Sequence, residues 1–387
     1  MGHRKRDCPQ AVPCFFTRKS DMNFHDLIAC RADAEHGDRA LDDALELLDI
    51  CLNGRGQLVE GAAVRDVLGK AVEFLIDRLA VNEIHEVRRE LGNGLAVLQL
   101  VGYADLELRQ AATINTAKQL ADSGFDVVFL APDATGHITP EVLSEALTED
   151  TVLLSCQLVN NEIGTVQPVE QLGKLLKAKA PKALFHIDAV QGLCRVRLTP
   201  KKWNCDLMSV SGHKIGAPKG IGALYVKKGL RLPPLTFGGG QEKGMRPGTE
   251  AVPNIAAFAK ACEIRMAHFD EDYAHVQELA DYLRQQVEAE LPTAVINGEG
   301  DIPHVVNLSM PGCKSEVMLH VLEGDEVYIS SGSACSKGKQ SGVLKALGLP
   351  KTRTDSALRV SFAPFNTRED VDAFIAAVKK GAKMFRR

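Results

Sequence analysis

The chain has 387 residues, of which 45% are hydrophobic and 25% are charged, and its formal net charge at pH 7 is -4. This length suits one large domain with one or two smaller units, and the composition is that of an ordinary globular protein. The mildly negative charge gives no reason to expect nucleic acid or an anionic membrane as a partner, so we expect a small-molecule substrate.

The ten cysteines are scattered along the chain without CxxC pairs, a pattern typical of reduced thiols in a cytosolic protein. The basic N-terminus is not followed by the apolar core of a signal peptide, and the longest apolar run, GLAVLQLVGYA, is too short to cross a bilayer. We therefore expect a soluble, cytoplasmic protein without a membrane-spanning segment. No metal site is predicted.

Residues 1–110 differ from the remainder of the sequence. The stretches DRALDDALELLDICL and AAVRDVLGKAVEFLIDRLAV have amphipathic helical spacing, whereas strand signals and glycine-rich loops are scarce. We interpret residues 1–110 as a helix-rich region of uncertain role.

Residues 111–255 alternate between helical and strand patterns. Thr139 is followed by Pro140, which is typical of a helix N-cap and first turn. The predicted elements are, in chain order, the helix INTAKQLADSG, the strand FDVVFLAP, the helix TPEVLSEALTED, the strand TVLLSCQLV, the helix VEQLGKLLKAKA, and the strands KALFHID, CDLMSVSG and GALYV. This α/β order predicts a large domain with a mainly parallel sheet flanked by helices.

Residues 256–387 predict a smaller C-terminal α+β domain. One or two long helices occupy about residues 254–290. They are followed by the strands AVINGE and HVVNLSM, the helix SEVMLHVLEG, the strand EVYIS, a glycine- and serine-rich loop, the strand SALRVSFAP and the helix REDVDAFIAAVKKGAKMF.

Polar residues follow three of the predicted strands, where ligands of α/β sheets usually bind. Asn161 follows TVLLSCQLVN, Asp188 ends ALFHID, and His213 with Lys214 follows LMSVSG. Taken singly, such residues are more often turn, cap or solvated side chains. Their combination favours a shared site at one edge of the sheet.

These residue types suit pyridoxal phosphate. A lysine that forms a Schiff base must lose its proton, although its free pKa is about 10.4. The cofactor also needs a carboxylate beside its ring nitrogen, which Asp188 is suited to supply. Ser211, His213 and Thr249 are suitable donors to the phosphate.

Six stretches of the sequence occur in a recognisable order from about residue 112 to the C-terminus: NNEIGTVQPV, HIDAVQG, SGHKIGAPKGIGALYV, GGGQEKGMRPGTE, SSGSACSKG and ALRVSFAPFNTREDVD. Together they resemble the NifS/IscS-type cysteine desulfurases, in the class V aminotransferase group of fold-type I pyridoxal-phosphate enzymes. The resemblance implies a homodimer of that fold, which converts L-cysteine to L-alanine and passes the sulfur to an acceptor protein for iron-sulfur clusters or tRNA thiolation.

The resemblance also implies a role for each matching residue. Lys214 forms the Schiff base with the cofactor, Asp188 pairs with the pyridinium nitrogen, and Gln191 hydrogen-bonds the phenolic oxygen. By the same resemblance, Ser211 and His213 contact the phosphate, and Thr249 contacts the phosphate bound in the other subunit. Asn161 and Arg359 bind the substrate α-carboxylate, and Asn161 also contacts the cofactor.

Cys335 lies in the stretch SSGSACSKGKQS, close to Lys337 and Lys339. A lone cysteine is more often a small buried hydrophobe, but nearby positive charge favours the reactive thiolate. By the resemblance, this thiol takes sulfur from the substrate and carries it as a persulfide.

Three motifs of the family are not legible in residues 1–110: a YLDNAATT-like strand, a TSGGTEANN-like phosphate loop and a Glu-His pair that stacks on the cofactor. Arg109 and Gln110 stand where Glu-His is expected, and glutamine cannot transfer a proton at neutral pH. The region is frame-shifted or wrongly joined, replaced by a helical domain, or diverged. In each case we expect weaker cofactor binding and slower turnover.

Two other functions remain open from the sequence. A selenocysteine lyase or cysteine sulfinate desulfinase would use the same site, although the SSGSAC loop favours a desulfurase with a mobile thiol. A weakly active or inactive pseudoenzyme would instead act as a dimeric binding partner.

Overall fold

The computed structural model of the chain describes residues 97–101, 111–234, 236–332 and 341–385. The two helices predicted in residues 38–81 and the predicted nucleophile Cys335 lie outside these ranges. Within the described parts of the chain, the helices are all too short or too polar to cross a membrane.

Among the described residues, the larger sheet has six strands: β1 (Val97–Val101), β2 (Asp126–Leu130), β3 (Thr151–Gln157), β4 (Leu184–Asp188), β5 (Leu207–Ser211) and β6 (Gly222–Val226). Their order across the sheet is β2-β1-β3-β4-β5-β6. All neighbouring pairs are parallel except β5 and β6, which are antiparallel. The mainly parallel sheet is the predicted one.

The helices that connect these strands are α1 (Ala111–Asp122), α2 (Pro140–Ala146) and α3 (Val169–Lys179). The Thr139 hydroxyl accepts a hydrogen bond from the Val142 amide and so caps α2 as predicted. Helix α3 packs very closely against the backbone of Trp203: a Cβ on Gly173 would lie 2.0 Å from the Trp203 carbonyl oxygen. Only glycine fits at this contact.

Strand β1 was not expected from the sequence. It pairs with β2 on one side and β3 on the other, so it lies inside the sheet. Its sequence, VLQLV, is the mostly apolar run of a parallel strand. It lies in the apolar run GLAVLQLVGYA, within the region of the sequence where strand signals are scarce.

The core of the larger sheet lies around β3, β4 and β5. Every residue of β5 is buried, and Leu154, Phe185 and Ile187 are completely inaccessible to solvent. Helix α3 covers these strands with Leu172 and Leu176. The hydrophobic effect therefore fixes the strands whose ends carry the predicted site.

A polar chain crosses this core. His186 of β4 is buried, and its Nδ1 lies 2.8 Å from the Ser155 hydroxyl of β3. Its Nε2 lies 2.9 Å from the Ser209 hydroxyl of β5. Burial lowers the pKa of His186 to about 4, so the ring is neutral at pH 7.

The described part of residues 252–385 forms a three-stranded antiparallel sheet with helices. These elements are α4 (Val252–Ala267), α5 (Phe269–Glu290), β7 (Val295–Asn297), β8 (Val305–Ser309), α6 (Ser315–Gly324), α7 (Gly342–Ala346), α8 (Lys351–Thr354), β9 (Ala357–Ser361) and α9 (Arg368–Phe385). Strand β8 lies in the middle of the sheet, and α9 packs against α5 and α6. This layer has its own hydrophobic core, which includes Leu283, Leu308, Leu358 and Phe374.

The prediction of a strand at EVYIS is wrong. The chain leaves α6 through Glu326, whose φ is 61°, and Ser330 then forms only an isolated bridge with Arg359. The alternating apolar side chains of Val327 and Ile329 pack against the second hydrophobic core. Alternate side chains of a connecting segment can be buried without a neighbouring strand to pair with. The alternating apolar pattern therefore reflects burial of this segment and not a strand.

Candidate active site

The site is built at the carboxyl edge of β4 and β5. Asp188 is the last residue of β4, and Ser211 is the last residue of β5. The two strands are parallel, with Asp188 opposite Ser209, so residues that follow them meet at one edge. Lys214 ends the short 3-10 turn Gly212–Lys214 that continues directly from β5.

The turn that carries Lys214 is tightly held. A Cβ on Gly212 would lie 2.8 Å from Ile221 Cγ2 and 3.0 Å from the Phe258 ring. The Gly212 carbonyl accepts hydrogen bonds from the amides of Ile215 and Ala217. Gly216 then has a φ of 96°, which disfavours a side chain. Gly212 and Gly216 therefore fix the backbone on both sides of Lys214.

Asp188 is a partly buried carboxyl with few donors. Its Oδ1 accepts one backbone hydrogen bond, from Val190 at 2.9 Å. Burial raises the pKa of Asp188 to about 6, against lowering contributions from the Val190 amide and from the nearby positive charge of Lys214. The carboxyl and the amine therefore lie within electrostatic range of each other, as a cofactor bridging them requires.

Gln191 is oriented by a residue that the sequence analysis missed. Arg195 Nη1 donates a hydrogen bond to Gln191 Oε1 at 2.7 Å. An arginine cannot accept a hydrogen bond, so this contact fixes which end of the Gln191 amide faces Arg195. The NH2 group of Gln191 then remains to donate elsewhere. The two residues lie in an irregular turn, so their spacing in the sequence did not indicate the contact.

Ser211 and His213 lie together beside Lys214. The Ser211 hydroxyl is 2.6 Å from His213 Nδ1, and the His213 ring is exposed. Burial of part of the ring, with the charges of Lys214 and Lys219, lowers the pKa of His213. The two side chains therefore form a neutral pair with hydroxyl and imidazole N–H groups, next to a cationic amine.

The structure also brings Asn161 and Arg359 together. Asn161 follows β3 in a turn stabilised by its neighbour Asn160, whose Oδ1 accepts hydrogen bonds from the amides of Glu162 and Ile163. Arg359 is on β9, and its Nη1 donates to the Asn161 carbonyl oxygen at 3.0 Å. A strand of the smaller sheet therefore reaches the carboxyl edge of the larger one.

Thr249 is exposed on the segment that links the 3-10 turn Gln241–Gly244 to α4. Cys335 lies outside the described residues, but both flanks of its loop are described. Ser330 bridges to Arg359 before the loop. Ser341 after it donates a hydrogen bond to the buried carboxylate of Glu162.

The residues at this edge fit pyridoxal phosphate on chemical grounds. The Asp188 carboxyl, with a raised pKa and one backbone donor, is suited to receive a charged ring N–H. The Gln191 amide presents donors, and Ser211 and His213 supply polar groups beside Lys214. Each predicted contact thus has a group of the appropriate chemical type.

Comparison with known proteins agrees with this geometry. Residues 105–374 match the Aminotransferase class-V family. A cysteine desulfurase of Nostoc sp. is 38% identical over 273 residues, covering 70% of this chain and 68% of that protein. The cysteine desulfurase IscS of Clostridium botulinum is 35% identical over 316 residues, covering 80% and 77% respectively. A solved structure titled NifS-like protein has a TM-score of 0.79 at 27% identity, with 92% and 91% of the two chains covered.

The chain therefore belongs to the class-V aminotransferase family. Within that family its relatives are cysteine desulfurases of the NifS/IscS type, and the cofactor of this group is pyridoxal phosphate. The predicted family, fold class, cofactor and kind of enzyme are confirmed.

Proposed function

We propose that this chain removes sulfur from L-cysteine to leave L-alanine, with Lys214, Asp188 and Cys335 as the central residues. The observation that carries the proposal is the pairing of Asp188 and Lys214 at the ends of two adjacent parallel strands. Bound pyridoxal phosphate would supply an electron-accepting ring for chemistry at the substrate Cα.

In this proposal Lys214 holds the cofactor covalently and moves protons at its Nζ atom. Its rigid glycine turn restricts where that atom can reach. Asp188 would keep the ring nitrogen of the cofactor protonated. The positive charge of that nitrogen would in turn favour the ionised form of the Asp188 carboxyl group. Gln191 donates its amide N–H to the phenolic oxygen, because Arg195 occupies its carbonyl end.

We further propose that Ser211 and His213 donate to the cofactor phosphate, that Asn161 touches both cofactor and substrate, and that Arg359 binds the substrate carboxylate. The exposed Thr249 is available to a second subunit, which supports a homodimer in which it completes the partner's phosphate site. An acceptor protein would then take the persulfide sulfur for iron-sulfur clusters or tRNA thiolation. The ten cysteines are scattered along the sequence without CxxC pairs, which supports a reducing, cytoplasmic location.

Cys335 is proposed as the nucleophile because its loop begins and ends at the site. The Ser330 bridge to Arg359 holds the start, and the Ser341 hydrogen bond to Glu162 holds the end. Arg359 donates a hydrogen bond to the carbonyl oxygen of Asn161, and Glu162 is the next residue after Asn161 in the sequence. Asn161 is the predicted substrate ligand. The described residues on both sides of the loop are therefore held next to Arg359 and Glu162, which supports the proposed role of Cys335.

The decisive experiment compares two cysteine variants. Cys335→Ser is expected to retain the cofactor, with a normal visible spectrum, but to form no persulfide and release no sulfide from cysteine. Cys194→Ser, which changes a partly buried thiol near Lys214, is expected to keep persulfide formation. Mass spectrometry of the protein after one turnover locates the persulfide. Full turnover with a persulfide on a cysteine other than Cys335 would refute the assignment.

The relatives do not favour selenocysteine lyase or cysteine sulfinate chemistry, since those compared are named for cysteine. The pseudoenzyme alternative is tested by colour alone. A yellow solution that borohydride bleaches indicates a Schiff base, whereas a colourless protein after incubation with pyridoxal phosphate would support a binding role.

A further inference from the structure

A cavity of about 100 Å³ lies beside Lys214, and the proposed chemistry leaves most of its lining unused. Residues from five parts of the chain line it. Its charged and polar lining comprises Arg195, Lys214, Arg265, Asp272, Tyr273 and His304. A water molecule occupies about 30 Å³ in the liquid, so the space suits a very small ligand.

The lining carries an excess of positive charge. Arg195, Lys214 and Arg265 are cations, and Asp272 is the one carboxylate among the residues that line the cavity. Asp272 is also a weak partner, with its Oδ2 4.0 Å from Arg265 Nη1. Burial, with repulsion from Arg265 and Arg359, lowers the pKa of Arg195 to about 10. One carboxylate therefore cannot neutralise both arginines of the lining, Arg195 and Arg265.

His304 provides a second, independent sign of a ligand. The residue is only 8% exposed, and its Nδ1 is buried with no hydrogen-bond partner among the described residues. Its ring packs edge-on against Tyr273, with the ring centres 5.9 Å apart. A buried polar atom without a partner is costly, so such an atom in a cavity wall indicates a missing hydrogen-bonding group.

The cationic side chains are held in place by the protein. Arg265 Nε donates to the Ile215 carbonyl oxygen at 3.2 Å, next to Lys214 in sequence. Arg195 Nη1 donates to Gln191. Each guanidinium retains further N–H donors beyond these contacts, because arginine has five. The fixed donors are the kind that recognise oxygen atoms of an anion.

We propose that this cavity is a binding site for a small oxyanion, held by Arg195, Arg265 and the Nδ1–H of neutral His304. Burial and the two arginines lower the pKa of His304 to about 3, so the neutral ring is the form present at pH 7. Sulfate, phosphate and carboxylates share this chemistry. The site is distinct from the predicted phosphate donors Ser211 and His213, and it adjoins the cofactor site through Lys214 and Gln191.

The test uses protein saturated with pyridoxal phosphate, so that the cofactor's own phosphate donors are occupied. Sulfate, phosphate and acetate are titrated separately by calorimetry at constant ionic strength, with chloride as the balancing anion. We expect saturable binding of at least one of them. Arg265→Gln is expected to weaken that binding at least about tenfold, because it removes a charge-assisted hydrogen bond.

Two further variants separate this site from general electrostatics and from misfolding. His304→Phe keeps the ring but removes the unpartnered nitrogen, so the protein should fold while anion affinity falls about three- to tenfold. Lys260→Gln removes the same charge from an exposed side chain on the same helix as Arg265, and affinity should be unchanged. Absence of saturable binding by all three anions, or equal weakening in Lys260→Gln and Arg265→Gln, would overturn the proposal. Because the readout is binding, it does not depend on desulfurase activity.

Discussion

The amino edge of the larger sheet holds a buried aspartate and the carboxyl edge a partly buried one, and the surroundings of the two carboxyl groups differ. Asp206, just before β5, accepts hydrogen bonds from Lys177 at 2.6 Å, from Lys227 at 2.9 Å and from the Phe185 amide at 3.0 Å. Burial favours its neutral form, but these donors prevail, and the pKa of Asp206 lies below its usual value. The carboxylate at the amino edge is therefore well supplied with hydrogen-bond donors.

At the carboxyl edge, Asp188 has one backbone donor, and burial raises its pKa to about 6. The same residue type on neighbouring strands thus has opposite pKa shifts, because the number of donors differs. A carboxyl group with few hydrogen-bond donors contributes little stability to the cofactor-free protein, but it can bind a cationic ligand. We infer from this comparison that the amino edge favours stability and that the carboxyl edge favours ligand binding.

The largest effect is expected from Lys214→Ala, which removes the amine of the carboxyl edge. Visible absorbance should disappear after dialysis, and cysteine desulfuration should fall by at least about a thousandfold, since the amine both binds the cofactor and moves protons. Spectra and sulfide release measure both effects. Lys228→Ala, an exposed lysine of the same chain, serves as the control. An unchanged spectrum in Lys214→Ala would contradict the assignment.

Asp206→Asn should break the amino edge. The variant leaves two lysines without their carboxylate and points an amide NH2 toward other donors, so the free energy of unfolding should fall by about 2 to 4 kcal/mol. Urea denaturation of the cofactor-free protein measures it. Affinity for pyridoxal phosphate should stay nearly unchanged. A loss below about 0.5 kcal/mol would mean that the three donors do not stabilise the fold.

Asp188→Asn should have the opposite effect on stability. Since folding raises the pKa of Asp188 from 3.8 to about 6, its stabilising contribution is complete below about pH 4 and is lost as the pH rises through 6. The variant should remove this dependence and stabilise the cofactor-free protein at pH 7 by roughly 2 kcal/mol, with cofactor affinity reduced. Denaturation at pH 4, 5, 6 and 7 compares the two proteins. A parallel pH profile for both would be evidence against a raised pKa.

The smallest effect distinguishes the two lysines of the amino edge. The Lys227 side chain is 50% exposed, whereas that of Lys177 is 24% exposed and also donates to the Ala183 carbonyl oxygen. Lys227→Met should therefore cost less than about 1 kcal/mol, and Lys177→Met should cost more. Thermal denaturation of the two variants tests the order. Equal costs would show that exposure does not set the strength of these ion pairs.

Much of this architecture could be predicted from the sequence because its signals are local. Thr139 and Pro140 mark the start of α2, and the apolar runs before Asp188 and Lys214 mark strand ends. A strand end fixes which residues meet, so the Asp188 and Lys214 pairing could be predicted before the structure. Strand β1 could not, since its partners β2 and β3 are distant in sequence and its flanks have helical spacing.

The missed parts of the site depend on side-chain direction in three dimensions. The contact between Arg195 and Gln191 forms within an irregular turn, where sequence spacing does not define a face. His304 lies next to a strand, and nothing in its local sequence indicates that Nδ1 lacks a partner. Such features arise from packing between distant segments, which periodicity does not describe.

The buried imidazole of His186 has a consequence for how the sheet assembles. A neutral imidazole has one N–H and one bare nitrogen, so one of Ser155 and Ser209 must donate while the other accepts. Proton positions on three neighbouring strands are thereby correlated. A one-residue slip of β4 would turn the ring to the opposite face and leave both serines and the imidazole without these contacts. Misregistered folding intermediates would carry that penalty, so His186, Ser155 and Ser209 together disfavour misaligned strands before the carboxyl edge of the sheet is complete.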